Sequence, residues 1–414
     1  MYSQISRCRA CGNEQLDRVV DLGTQVLSGV FPRSTVELIS SGPLRLLKCA
    51  ARAADACGLL QLEHSYDLDE MYGVNYGYRS GLNPSMVRHL HGKVGRILER
   101  VRLRPGSLIV DIGSNDSTTL QAYPQTDLTL VGIDPTGVKF ERYYPPHIRL
   151  IPEFFSAARF RELFPGQRAS VVTSFSMFYD LEHPVQFMRE IAEVLADDGL
   201  WVLEQSYMPT MLARTSYDTV CHEHLEYYGL QQIQWMAQRA GLKIIDVELN
   251  DVNGGSFSVV VTRQGAPEQS SRAVESLLAS ERGAGLDGLA PYREFAHRSA
   301  ASRAELLEFF SRAAAAGKRV LAIGASTKGN IILQYCGLGP QQLAYVGDVN
   351  EDKFGRLTPG TLIPIVPEDQ VLAMRPDYLL VLPWHFRAFF ERNPKFSGRT
   401  LVFPLPRLEV VRLP

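Results

Sequence analysis

The stretch SLIVDIGSNDSTTL, residues 107–120, decides how the rest of the chain is read. Leu108, Ile109 and Val110 form an apolar run that ends in an acid, Asp111, and passes at once into a small, turn-prone loop. A buried parallel strand that stops at a cofactor has this pattern. It returns as LTLVGIDPTG (128–137), where a second strand ends in Asp134. Strand, small-residue turn, helix, strand and acid outline a nucleotide-type site at the carboxyl edge of a doubly wound sheet. The turn holds Gly113 alone, so the G-x-G-x-x-G cradle for a pyrophosphate is missing. That favours S-adenosylmethionine, which has no pyrophosphate, over NAD.

Working outward, further strands are expected near 147–151, at 169–178 and at 199–207, with an amphipathic helix at 184–195. A hairpin at 243–263, joined by Asn253-Gly254-Gly255, closes the sheet. Upstream, YGVNYGYRSGLNP (72–84) bridges to a helix in which Met86, Leu90, Val94, Ile97 and Leu98 recur at helical spacing behind Pro84. After a polar, Ala-rich stretch (264–317), KRVLAIGASTKGNIILQYCG (318–337) again runs strand, loop, helix. The strands of LAYVGDVNEDKFG and PDYLLVLPWHF follow it. The expected fold is α/β in three parts. A small zinc-binding domain spans 1–70. A class I methyltransferase (Rossmann-like) domain spans 71–265, its first thirty residues a bridging loop and helix. A second Rossmann-like domain spans 266–414 and would bind the substrate's nucleotide.

The zinc expectation rests on cysteines. Four of the six lie in the first 57 residues, as Cys8-x-x-Cys11 and Cys49…Cys57, and each second cysteine precedes a glycine. Four thiolates make a closed structural site. The second spacing is long, and four reduced cysteines in a small core would look the same; His64 is a conceivable substitute ligand. A net charge of −2 in 414 residues gives no electrostatic case for nucleic acid or an anionic membrane. No apolar run approaches twenty residues and the start leads directly into the cysteine motif, so a cytoplasmic location is expected.

Asp134 is placed to accept two ribose hydroxyls, with a helix N-cap as its other reading. Asp111 would orient the amino-acid moiety. TSFSMFYDLEHP (173–184) ends the fourth strand on the side that faces a substrate. Beyond the fifth strand comes SYDTVCHEHLEYY (216–228). Its histidines are spaced wrongly for H-E-x-x-H. In an extended segment His222 and His224 would share one side and Glu223 the other. Imidazole titrates near pH 6.5, so one of them is a candidate base, unless the segment is merely a polar turn. In the C-terminal part, Gly324–Asn330 opens a helix whose start, with Lys328, suits a diphosphate, and Asp348 and Asn350 end the next strand. The bland alternative there is a vestigial turn with a solvated lysine.

Taken together, CRACG, YGYRSG, DIGSNDSTTL, VGIDPTG, CHEH, NGGS and GASTKGN resemble, in order and over nearly the whole chain, the three-domain zinc-containing nucleotide-sugar C-methyltransferases. These build branched deoxysugars for natural products, antibiotics among them, and for surface polysaccharides. The resemblance implies methylation next to the ketone of a dTDP-4-keto-deoxysugar, C3 favoured and C5 open. It implies His224 as base, supported by Glu223, with Tyr179 and Asp180 beside it. Cofactor contacts would come from Tyr76, Tyr78, Asp111, Gly113, Ser114, Asn115, Asp134, Pro135, Phe154 and Ser176. Substrate contacts would come from His222, Asn253, Gly254, Ser326, Lys328, Asn330, Asp348 and Asn350. Cys8, Cys11, Cys49 and Cys57 would hold a structural zinc, in a monomer or weak dimer. The chain departs from the family at Cys221, a tyrosine in some members, at Asp180, a histidine in some, and at Ser117, commonly glycine. A backbone compatible with a side chain is expected at Ser117.

Three other readings compete. A small-molecule O-methyltransferase would need neither the zinc segment nor the second Rossmann unit. A non-catalytic zinc-ribbon binding protein would not bind the methyl donor. An NAD-dependent sugar dehydratase lacks its glycine pattern and a Tyr-x-x-x-Lys pair.

Overall fold

The computed structural model describes residues 2–50, 55–67, 71, 78–124 and 127–414. Its centre is a seven-stranded sheet in the order Leu242–Asn250, Ser256–Arg263, Leu195–Ser206, Ala169–Phe175, Leu108–Ile112, Thr129–Ile133, Ile148–Ile151. The last five pair in parallel, and Ser256–Arg263 runs antiparallel to both its neighbours. Chain direction across the sheet reverses at Leu108–Ile112, so the crevice at the carboxyl ends of that strand and of Ala169–Phe175 is the switch point where ligands bind. All five residues of Leu108–Ile112 are buried, as the continuous apolar run predicts for a strand covered on both faces.

The helix ahead of the sheet, Pro84–Leu98, starts where Asn83 accepts from Ser85 N and Pro84 takes the first turn. It turns Val94 and Ile97 into the sheet's face and buries Leu90 beside them on the same helix. The fourth strand ends at Phe175, short of the expected 178, and the chain bends into a short helical turn at Phe178–Asp180.

A second open sheet lies in the C-terminal part, in the order Ile365–Pro367, Val346–Asp348, Val320–Ile323, Tyr378–Val381, Thr400–Phe403, Glu409–Arg412. Only the last strand is antiparallel. The long helix Ala290–Ala315 sets Tyr292, Phe295, Leu306 and Phe310 into its core. Here the switch point lies between the ends of Val320–Ile323 and Tyr378–Val381. Gly324 (φ 84°) turns there against Pro383, whose Cδ would lie 2.4 Å from any added Cβ.

The N-terminal part contributes a four-stranded sheet: Glu226–Tyr227, Leu60–Leu62, Ser41–Cys49, Leu16–Val26. Its first strand is not N-terminal at all. The residues that follow the CHEH segment leave the central domain and pair antiparallel with Leu60 and Gln61. Leu44, Leu46, Leu60 and Leu62 are fully buried in one apolar cluster with Tyr217, Val220 and Leu225. Each such side chain contributes roughly 1.5–3 kcal/mol. The segment carrying the candidate base is therefore built into the N-terminal core.

Two expectations are corrected. Ser117 has φ 63°, a left-handed backbone, within a loop where Gly113 (74°) and Asn115 (49°) are also positive. The loop must reverse repeatedly to reach Asp134 and Tyr144. A strain on the order of 1–3 kcal/mol is offset by hydrogen bonds: Ser117 N donates to Ser114 O and Ser117 Oγ to Tyr143 O. The second concerns the histidines. His224 N donates to Cys221 O at 3.3 Å, so residues 221–224 form a turn and the alternation of an extended strand does not apply. His222 is fully buried against the Tyr66 ring of the N-terminal part, while His224 lies on Tyr179.

Candidate active site

The four N-terminal thiols converge, with every pair of Sγ atoms within 4.8 Å. Cys8–Cys57 and Cys11–Cys49 are each 3.5 Å apart. A tetrahedron with Zn–S bonds of about 2.3 Å has edges of about 3.8 Å, so the donors fit a zinc ion. Such a site carries net negative charge. Lys48, 1% exposed, lies beside it, its ammonium donating to Gly58 O, and the nearby thiolates favour its charged form against the cost of burial. His64 stands apart from the cluster, edge-on to Tyr2. The metal here would be structural, holding the ends of strands whose sheet receives Glu226–Tyr227.

At the central switch point, Gly113 N donates to Ile133 O, and an added Cβ would come within 3.1 Å of Met177 Cγ. A side chain at 113 would therefore press on Met177 and strain a backbone whose φ is 74°. Asp134 accepts from Asn115 N at 2.7 Å and from Thr136 N and Oγ1, both at 2.7 Å. It is therefore a cap and a loop tether, with about one of four lone-pair positions left for a ribose hydroxyl. Pro135 follows it in the capped turn. Ser114 Oγ meets Tyr144 Oη at 2.8 Å, and that phenol reaches Asn115 O.

Asn115's side chain faces the bridge: it accepts from Ser80 N and donates to Tyr78 O, so it latches residues 78–81 over the loop. Tyr76 lies outside the described residues. Asp111 is buried and accepts from Thr173 Oγ1, and burial pushes its carboxyl up to about 7. Ser176 (φ 54°) is exposed at the sheet's edge, and Phe154 is 60% exposed. The set fits the methyl donor: Asp134 keeps a lone-pair position for a ribose hydroxyl, and Asp111 lies buried in the neighbouring strand.

Beside this crevice, Leu225 N donates to Tyr179 O and fixes the turn to the end of the fourth strand. His224 Nδ1 lies 3.0 Å from Thr219 O, and its ring is 4.2 Å from that of Tyr179. A carbonyl can only accept, so Nδ1 carries the proton and Nε2 is left as the acceptor. Burial, helped by the charge of Lys328, lowers the imidazole to about 4, so it is neutral at pH 7. Glu223 does not hold His224. Its Oε1 lies 2.9 Å from where a Cβ on Gly29 would sit, and burial pushes its carboxyl up. Glu223 and Asp180 both act on the buried Cys221 thiol, raising it beyond what burial does alone.

The C-terminal part closes the other side. Lys328 Nζ donates to Asn253 O at 2.5 Å, and an added Cβ on Gly254 would be 3.9 Å from it. Asn330, fully buried, donates to Ser28 O of the N-terminal part and so faces away from the crevice. Ser326 caps its own helix at Gly329 N. Asp348 accepts from Asn350 N and lies 3.5 Å from Lys353 Nζ, which also donates to Ala325 O.

The structure thus stacks Tyr179 on His224 and joins Lys328 to Asn253 beside Gly254, with the charge of Lys328 felt at His224, and it turns His222 and Asn330 into contacts between parts of the chain. Sequence reasoning passed over Thr219, Asp218, Gly29 and His385. The one signal for His385 was its place in PWHF, just past an apolar strand.

Three family models match consecutive stretches: a zinc binding domain at residues 8–72, a methyltransferase domain at 86–247 and a C-methyltransferase C-terminal domain at 251–406. The chain is 31% identical to the C-methyltransferase NovU of Streptomyces niveus over 415 residues, covering 98% of this chain and 97% of that one. Among solved structures, a methyltransferase complex with the Trm112 activator from Haloferax volcanii overlaps 44% of this chain and 94% of its own, at 15% identity and a TM-score of 0.35. The CcbJ methyltransferase of Streptomyces caelestis overlaps 42% and 89%, at 13% identity and 0.33. Those two overlaps are too loose to assign anything. Full-length similarity, three consecutive domain models and a four-thiol cluster together place the chain in the family of three-domain, zinc-containing, S-adenosylmethionine-dependent C-methyltransferases.

Proposed function

We propose that the enzyme methylates the carbon next to the ketone of a nucleotide-linked 4-keto-deoxysugar, with C3 favoured over C5 and dTDP the expected nucleotide. The observation that carries this reading is His224: a neutral imidazole, pinned through Nδ1 to Thr219 O and stacked on Tyr179, just past the carboxyl end of the strand Ala169–Phe175. A ketone makes the neighbouring C–H acidic enough for such a base, because the charge left behind spreads onto oxygen. Bound S-adenosylmethionine supplies the electrophilic methyl. His224 Nε2 takes the proton, Tyr179 stacks the imidazole in place, and residues 78–81, latched by Asn115, exclude water. General base catalysis contributes on the order of 10²–10⁴-fold, and holding two substrates in line supplies much of the remainder.

In this reading, residues 1–70 hold the base segment, 71–265 bind the methyl donor and 266–414 bind the nucleotide. The diphosphate would lie at the carboxyl edge of the C-terminal sheet, near Ser326, Asp348 and Asn350. Lys353 beside them is a ready countercharge.

Incubating the enzyme with a panel of dTDP-4-keto sugars and methyl-labelled donor, and locating the label by NMR, tests the proposal. The expected product carries the methyl on carbon, at C3. Label on oxygen would establish the O-methyltransferase reading instead.

A further inference from the structure

Lys328 lies in the first turn of the helix Thr327–Cys336 at the edge of the C-terminal sheet, yet its amine leaves that edge. Nζ reaches the central domain and donates to Asn253 O at 2.5 Å. Among the described residues this is its one hydrogen bond, so two of its three donors remain. The next residue, Gly254 (φ 92°), keeps the space open. A Cβ there would lie 3.6 Å from His385 Cβ and 3.9 Å from Lys328 Nζ. His385 follows the strand on the other side of the C-terminal switch point, and its buried Nδ1 has no partner among the described residues. Burial pushes the Lys328 amine below its ordinary value, and Asp218, fully buried and held by Trp384 Nε1 at 2.8 Å, is the carboxylate whose charge opposes that shift and favours the ammonium.

Burial disfavours a proton on both His224 and His385, and the charge of Lys328 adds to it at each. A fixed cation beside the base makes proton abstraction harder, unless a negative charge forms close to both at the same moment. An enolate oxygen meets that condition. It would attract the ammonium and the new imidazolium together, so the arrangement favours the transition state over the ground state.

Resting on the function proposed above, we propose that Lys328 binds the ketone oxygen and stabilises the enolate, and does not anchor the diphosphate. The C–H bond next to the carbonyl breaks, its proton passes to His224 Nε2 and its electron pair becomes the C=C bond. The carbonyl π pair moves onto oxygen, where the free N–H donors of Lys328 hydrogen-bond to it without giving up a proton. When the C=C pair takes the methyl group, the donor's methyl–sulfur bond would break with its pair left on sulfur, and the pair on oxygen returns to restore the ketone. His224 releases its proton to solvent.

The test uses the full-length enzyme and dTDP-4-keto-6-deoxyglucose in D2O, with no methyl donor. The rate of α-hydrogen exchange at saturating sugar and the affinity for dTDP are measured for wild type, Lys328→Met and Lys328→Gln. Exchange falling about 10²- to 10³-fold at saturation, with dTDP affinity unchanged, supports the proposal. Lys328→Gln, which keeps N–H donors but no charge, should fall between the two. Exchange unchanged at saturation with weakened dTDP binding overturns it in favour of a diphosphate anchor. Absence of exchange in the wild type would fault the proposed reaction itself. Calorimetric binding of S-adenosylmethionine by each variant establishes that it is folded; if Lys328→Met fails there, Lys328→Gln alone decides.

Discussion

His224 Nδ1 and the carbonyl oxygen of Thr219 are 3.0 Å apart, so a backbone atom five residues upstream, and not the neighbouring Glu223, sets the tautomer of the proposed base. In a triad a carboxylate does this job and also stabilises the imidazolium. A carbonyl orients the ring with far less effect on its basicity, which leaves burial and Lys328 to hold the group down at about 4.

The pH dependence follows. His224 can accept a proton only when neutral, which holds above its own value. The acid limb of kcat/KM, which reports the free enzyme, should therefore fall near pH 4 and not near the ordinary 6.5. Measuring α-hydrogen exchange from pH 4 to 8 checks this. A limb near 6.5 would show that the ring is solvated or that another base acts. His224→Ala should lower exchange by about 10²–10⁴-fold while still binding S-adenosylmethionine.

Gly29 of the N-terminal part makes room for Glu223. In Gly29→Ala the new Cβ would press on Oε1 from 2.9 Å. Misplacement on this scale should cost about 10- to 100-fold in kcat/KM, with zinc content unchanged. Shortening the acid in Gly29→Ala/Glu223→Asp should recover part of the loss, which steady-state kinetics on the single and double variants would reveal.

The zinc site lies far along the chain from the base yet supports it. Cys57→Ser, or prolonged chelation, should loosen the sheet that pairs Gln61 with Glu226. Activity should fall together with metal content and with the first thermal transition. Full activity in a metal-free enzyme would separate the two.

Asp134 tethers the cofactor loop through Asn115 N and Thr136 N. Hydrogen bonds to a charged group contribute about 1.5–3 kcal/mol each. Asp134→Ala should thus weaken S-adenosylmethionine binding at least about 10-fold by calorimetry, with sugar nucleotide binding untouched.

Period and punctuation carried most of the architecture. Apolar runs ending in Asp111 and Asp134 marked the central sheet because strands covered on both faces must be apolar throughout. The cysteine spacing likewise marked the four-thiol cluster that forms. The strand Glu226–Tyr227 was not legible, since its partner lies more than 160 residues away and two-residue pairing leaves no local pattern. Thr219 was invisible because its backbone carbonyl, not its side chain, does the orienting. Ser117 misled because serine looks conformationally ordinary, while the hydrogen bonds that stabilise its left-handed backbone come from Ser114, Tyr143 and Gln121. Asp218 and His385 meet Lys328 only through packing of separate parts.

The central claim, that His224 removes a proton from carbon, is tested most directly by mass spectrometry of a dTDP-4-keto-6-deoxy sugar incubated with enzyme in D2O. Wild type should incorporate one deuterium next to the ketone well above the uncatalysed rate, and His224→Ala should not. No incorporation by the wild type, or equal incorporation by both, would contradict the account.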